Sequence, residues 1–173
     1  MKFKSAEKDV FFEKWKTPLS GAQNLWLDAV FQTISHTHFF FSISPHFEKV
    51  KNRHDVHVMT IGRNWPYRLI EEAYAYKCLG KYFAYDPSNP KKKSTRRSGP
   101  QRTWKLWGTS FIKELDEGKA LSDYEQERDK NIFECMIVTQ DEWIEFVSGP
   151  PRWELHPHTT VKMAVRRYLK EVG

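Results

Sequence analysis

The sequence predicts an α+β fold in which a small antiparallel sheet of three to four strands is flanked by helices, in a single domain. Three observations lead there. Two short aromatic and β-branched runs are separated by a hairpin-sized gap, apolar residues recur at helical spacing before and after them, and no internal repeat is visible. At 173 residues the chain is sized for one domain over 1–173, long enough to bury one core.

Between residues 5 and 16, Val10, Phe11, Phe12 and Trp15 fall on one helical face. The segment stops at Thr17, whose place before Pro18 disfavours helix. After Ser20 and Gly21, the stripe Leu25, Trp26, Ala29, Val30 and Ile34 predicts a second short helix. Phe39, Phe40, Phe41, Ser42 and Ile43 read as a strand closed by Pro45, and 56–61 as a second strand ended by Gly62, the two forming an antiparallel hairpin. A helix follows over 66–85, with Pro66 in its first turn and Leu69, Ile70, Ala73, Tyr76, Cys78 and Leu79 on its apolar side. Residues 86–103 change character to a long, mobile basic loop. Apolar residues resume as a strand over 104–112, 113–130 is charged and loop-like, and 133–139 is a further strand. A short helix over 141–147 starts with acids at its positive end and is broken by Gly149, Pro150 and Pro151. The last helix runs over 160–172, capped by Thr159 or Thr160 and ended by Gly173.

Charge and composition narrow the function classes. The formal net charge of +6 excludes an acidic DNA mimic, and 39% hydrophobic with 15% aromatic residues excludes global disorder. The excess is unevenly placed: between Lys113 and Glu145 there are 11 acids and 4 bases, a local net of −7, so the positive charge concentrates elsewhere. Cys78 and Cys135 stand alone, without the spacing of a metal or redox pair, which points to a reducing, intracellular compartment, cytoplasmic or nuclear. The N-terminal stretch lacks the apolar core of a signal peptide, and no apolar run approaches the ~20 residues of a membrane span. The expectation is a soluble protein without a membrane partner, with oligomer formation open.

Two basic features point to nucleic acid. Lys91, Lys92, Lys93, Arg96, Arg97, Arg102 and Lys105 are interleaved with Ser94, Thr95, Ser98, Gln101 and Thr103 and followed by Trp104 and Trp107. Such bases gain affinity by releasing counterions from phosphates, and an exposed Trp stacks a base. The other reading is a solvated linker with both Trp residues buried on the next strand. Lys162, Arg166, Arg167 and Lys170 share one face of the last helix, opposite Val161, Ala164, Val165 and Leu169. Arg53, Arg63 and Arg68 could extend the same basic surface. The run Gly149, Pro150, Pro151, Arg152, Trp153 followed by Lys162, Arg166, Arg167 and Lys170 resembles the tail of RecT-type single-strand annealing proteins, with Met163 where that family usually has Thr. The resemblance implies ATP-independent annealing of single-stranded DNA.

Histidines supply the enzymatic alternative. His36 and His38 have H-x-H spacing, as have His156 and His158, and on a strand such a pair faces one way and can hold a divalent metal. The pattern Tyr74, Ala75, Tyr76, Lys77 resembles the Y-x-x-K motif of HUH replication endonucleases, with Asp55 where the first His of their metal motif would stand before His57. That resemblance implies Tyr74 as nucleophile, Lys77 as its helper, His57 as a ligand, and Mg or Mn as cofactor. No Gly-rich phosphate loop or complete catalytic signature is present. The sequence thus predicts a protein binding single-stranded DNA or RNA in replication, recombination or processing, and no cofactor in that role. The alternatives are a metal-dependent nuclease and an adaptor binding proteins through its acidic 114–145 face.

Overall fold

A computed structural model describes residues 2–4, 11–22, 24–44, 54–62, 65–71, 102–107, 111 and 133–172. Its strands are β1 (Lys2–Lys4), β2 (Phe11–Lys14), β3 (Asn24–Gln32), β4 (His36–Ser44), β5 (His54–Gly62), β6 (Tyr67–Glu71), β7 (Thr103–Trp107), β8 (Phe133–Val138), β9 (Glu142–Ser148) and β10 (Arg152–Thr159), followed by helix α1 (Val161–Val172). They form a six-stranded sheet in the order β1-β2-β7-β8-β9-β6 and a four-stranded sheet in the order β10-β5-β4-β3, antiparallel throughout. The expected α+β fold with one small sheet is therefore overturned: among the described residues the chain is two antiparallel sheets with one C-terminal helix. The predicted hairpin, the strands near 104 and 133, and the last helix are present. The predicted helices over 20–34, 66–85 and 141–147 are strands over 24–32, 67–71 and 142–147, as is 11–14 of the first.

Each misread segment has a physical cause. In β3, Leu25 and Leu27 pair with Ile43 and Phe41, but the register then shifts, so that Ala29 pairs with Phe40 and Val30 with Phe39. Asp28 is the extra residue of a bulge, and beyond it the inward and outward positions exchange. A strand that changes parity midway places apolar residues at i, i+1, i+4 and i+5, the pattern of a helix. In β9, Ile144 and Phe146 face one way and Trp143, Glu145 and Val147 the other, and all five are buried. A strand covered on both faces has no period of two to read. β10 carries Pro157, which an edge strand tolerates, beside a register shift between His156 and Thr159.

Within that irregularity His158 has a φ of 48°, and its N–H donates to Asp55 Oδ1 at 3.2 Å. A left-handed backbone costs an L-residue about 1–2 kcal/mol. His158→Gly is expected to leave stability unchanged or slightly raised, and His158→Val to lower it by about 1–2 kcal/mol, measured by urea unfolding.

The sheets pack face to face. Leu25, Phe39, Phe41, Met59 and Ile61 of the four-stranded sheet share one core with Cys135, Ile137, Ile144 and Phe146 of the six-stranded sheet. Phe39 lies 6.4 Å from Phe146 and meets Tyr67 edge-on at 5.2 Å, while Trp15 bridges to Phe146 and Trp153. The sheets are also tied at one edge, where Gln140 N donates to Leu25 O at 2.8 Å. This core faces away from the outer side of the four-stranded sheet, which α1 covers.

Candidate nucleic-acid interface

Helix α1 begins at Thr160, whose Oγ1 accepts from Met163 N at 3.3 Å and whose carbonyl accepts from Ala164 N at 2.9 Å, so Thr160 and not Thr159 is the cap. Its apolar side, Val161, Ala164, Val165 and Tyr168, packs on Ala29, Phe31, Phe40, Val56 and Val58. Tyr168 is the deepest contact. Its ring stands edge-on to Phe40 at 5.8 Å and lies 4.5 Å from His38. Its hydroxyl is 2.8 Å from His38 Nδ1, and Thr60 Oγ1 is 3.0 Å from the same nitrogen. Burial, aided by the charges of His36 and Arg152, pulls the His38 imidazole down to about 4, so the ring is neutral at physiological pH.

Docking this side of α1 turns the other outward. Lys162, Arg166, Arg167 and Lys170 are all exposed, with Met163 among them, and among the described residues none of the four is ion-paired. The arrangement is a row of cations on a helix whose position is fixed by a packed aromatic. It can bind an extended polyanion without reorganising the fold.

Beside it, at the Gly62 end of the four-stranded sheet, a cleft of about 260 Å³ is lined by His36, Thr60, Gly62, Trp65, Ser148 and Arg152. None of its lining residues is acidic. A Cβ on Gly62 would lie 2.9 Å from Trp65 Cδ1, so the indole rests directly on the glycine backbone. The Arg152 side chain is 64% exposed, and its guanidinium reaches Glu154 at 3.2 Å. Arg152, Thr60 and His38 form one row across the sheet, and the row ends under Tyr168.

The other predicted residues do not join this surface. Trp104 and Lys105 belong to β7 in the six-stranded sheet, with Arg102 just before it, while α1 lies beyond the four-stranded one. Arg102 Nε donates to Ala22 O at 3.1 Å, and Thr103 Oγ1 donates to Trp15 O at 2.6 Å, so both tie the β7 start to the turn before β3. Trp104 is 5% exposed, and its ring is not open to a stacking base. Lys105 sits half-buried in register with Glu13 and Cys135, whose thiol burial pushes well up. Lys91, Lys92, Lys93, Arg96, Arg97, Tyr74 and Lys77 lie outside the described residues, as do Arg53 and Arg63.

The histidines are divided by the sheet. His36 and His38 do share a strand face, with ring centroids 5.9 Å apart, but His36 is exposed and His38 buried against Tyr168. His57 pairs with Phe41 and Leu155 on the opposite, core-facing side of the same sheet, and burial lowers its pKa against the pull of Asp55. No cluster of three His, Cys, Asp or Glu side chains suited to a metal occurs among the described residues. Within the acidic stretch, Glu134 and Glu145 are buried, Glu145 against Arg68 Nε at 2.6 Å, so these two add nothing to an exposed acidic face. The described residues contain no helix long and apolar enough to cross a membrane. Sequence reasoning missed Trp65, Thr60 and Tyr168 as site residues. Trp65 is separated from Arg152 by about half of the chain, and the fold brings the two to one cleft.

Fold and site together define a two-sheet protein that carries an exposed basic helix on one outer face. Comparison with protein-family models, curated proteins and solved structures finds no match.

Proposed function

We propose that the protein binds single-stranded nucleic acid, with the exposed side of α1 holding the phosphate backbone, in replication, recombination or nucleic-acid processing. The observation that carries this reading is the docking of α1. Burial of Ala164 and Tyr168 fixes Lys162, Arg166, Arg167 and Lys170 toward solvent, where none of them is ion-paired among the described residues. Of the residues that resemble the RecT tail, Arg152 and the helix bases lie on this same face of the four-stranded sheet, whereas Trp153 turns to the core on the other side. The nuclease reading has no comparable support, because His57 opens to the other side of the sheet from His36 and His38.

Fluorescence polarisation with labelled single-stranded DNA, duplex DNA and RNA, with and without Mg2+ or Mn2+, tests it. Changing Lys162, Arg166, Arg167 and Lys170 together to Gln is expected to weaken single-strand binding on the order of 100-fold at low salt and to flatten the log–log salt dependence by about 3, since each phosphate contact contributes ~0.7. Unchanged affinity, or salt-independent binding, would sink the reading. Metal-dependent cleavage lost in Tyr74→Phe would replace it with the nuclease.

A further inference from the structure

We propose that the cleft at the Gly62 end of the four-stranded sheet holds one nucleotide unit of the bound strand, its base against Trp65 and its phosphate against Arg152. The inference rests on the nucleic-acid reading above and assigns a second, discrete subsite to it.

Size, chemistry and position agree. At about 260 Å³ the cleft falls just below the ~300 Å³ at which pockets begin to enclose drug-sized molecules, so it suits a single base with its phosphate. Its walls pair an aromatic surface with a cation, the two groups that a nucleotide needs. The indole of Trp65 is held in place from below, because Gly62 leaves room for it and a methyl group there would not. Among the described residues Arg152 is ion-paired with Glu154 alone, and an exposed pair of this kind is worth about 0–1 kcal/mol, so a phosphate displaces it readily. The guanidinium also offers a planar fork that matches phosphate oxygens. His36 is exposed at the rim, its Nδ1 2.7 Å from Ser35 Oγ. Arg152, Thr60, Gly62 and His36 all sit on the helix-covered side of the sheet, so one strand can lie along α1 and set a nucleotide in the cleft.

Isothermal titration of the full chain with a nucleoside monophosphate, the nucleoside and inorganic phosphate tests this directly. The monophosphate is expected to bind at least tenfold more tightly than either fragment. Arg152→Gln should weaken it about tenfold by removing the charged donor, and Trp65→Leu, which keeps an apolar side chain against the core, should do the same by removing the stacking surface. Gly62→Ala should weaken it too, by displacing the indole, and Glu154→Gln should strengthen it two- to fivefold by releasing Arg152. Thermal melts establish that each variant is folded. The helix variant with all four bases changed should bind the monophosphate as the parent does. No saturable binding, phosphate binding as tightly as the monophosphate, or indifference to both Arg152→Gln and Gly62→Ala overturns the subsite, while oligonucleotide binding through α1 stands. Monophosphate binding that survives when oligonucleotides show no salt-sensitive affinity overturns the reading of α1 instead.

Discussion

Tyr168→Ala is expected to remove about 3–5 kcal/mol of stability and to release α1 from the sheet. The side chain is 2% exposed and packs against both Phe40 and His38, so truncation opens a cavity between α1 and the sheet. A free 12-residue helix is marginal in water, and its own four bases near one another disfavour it further. Loss of docking therefore melts the helix, and single-strand affinity should fall with it even though no base has been changed. Tyr168→Phe is the control. It keeps the ring and loses only the hydroxyl near His38 Nδ1, so it should lower stability by about 1 kcal/mol and leave nucleic-acid affinity intact. Urea unfolding followed by circular dichroism and tryptophan fluorescence separates the two variants. If Tyr168→Ala keeps full helicity and full affinity, the helix does not depend on this contact and its docking does not set the site.

The same contact shows what the sequence could and could not reveal. The pattern Val161, Ala164, Val165, Tyr168 marks an amphipathic helix, and its opposite basic face follows directly, because helical periodicity is a local property. The β4–β5 hairpin was legible for the same reason: Phe39 to Ile43 and Val56 to Ile61 are short, β-branched or aromatic, and bounded by breakers. What local pattern cannot carry is a change of face within a strand. Asp28 shifts β3 by one residue, and from there apolar side chains alternate out of step with those before them. Nor does it carry burial on both faces, as in β9, where Glu145 is as hidden as Phe146 because Arg68 of β6 neutralises it. Trp104 was equally undecidable, since the same residue after a basic run stacks a base when exposed and fills a sheet face when buried. Its register opposite Met136 in the six-stranded sheet settles the matter, and that register is a long-range property.

Acidification should loosen the helix face through His38. The imidazole titrates near 4 in the folded chain, chiefly because it is buried, whereas in the unfolded chain it titrates near its ordinary value of 6.5. Between those values the unfolded chain takes up the proton and the folded chain does not, so stability rises with pH across the window. The contribution is fully present above about 6.5, declines as pH falls toward about 4, and changes no further below that, a loss on the order of 3 kcal/mol. The groups that meet the ring are the Tyr168 and Thr60 hydroxyls, with the His36 and Arg152 cations beside it, and no carboxylate among them would welcome an imidazolium. His57, also lowered by burial, adds to the same slope from the opposite face of the sheet. Stability measured by urea unfolding from about pH 7.5 to about pH 4 should therefore fall in the parent. It should fall less in His38→Gln, which keeps a polar side chain near Tyr168 and cannot charge, and less again when His57→Phe is added. A decline in His38→Gln as steep as the parent's would show that the buried imidazole is not what acid attacks. Because Tyr168 is the bridge between that imidazole and α1, the variant that flattens the stability curve should also flatten the acid loss of single-strand affinity, apart from any direct protonation of the ligand.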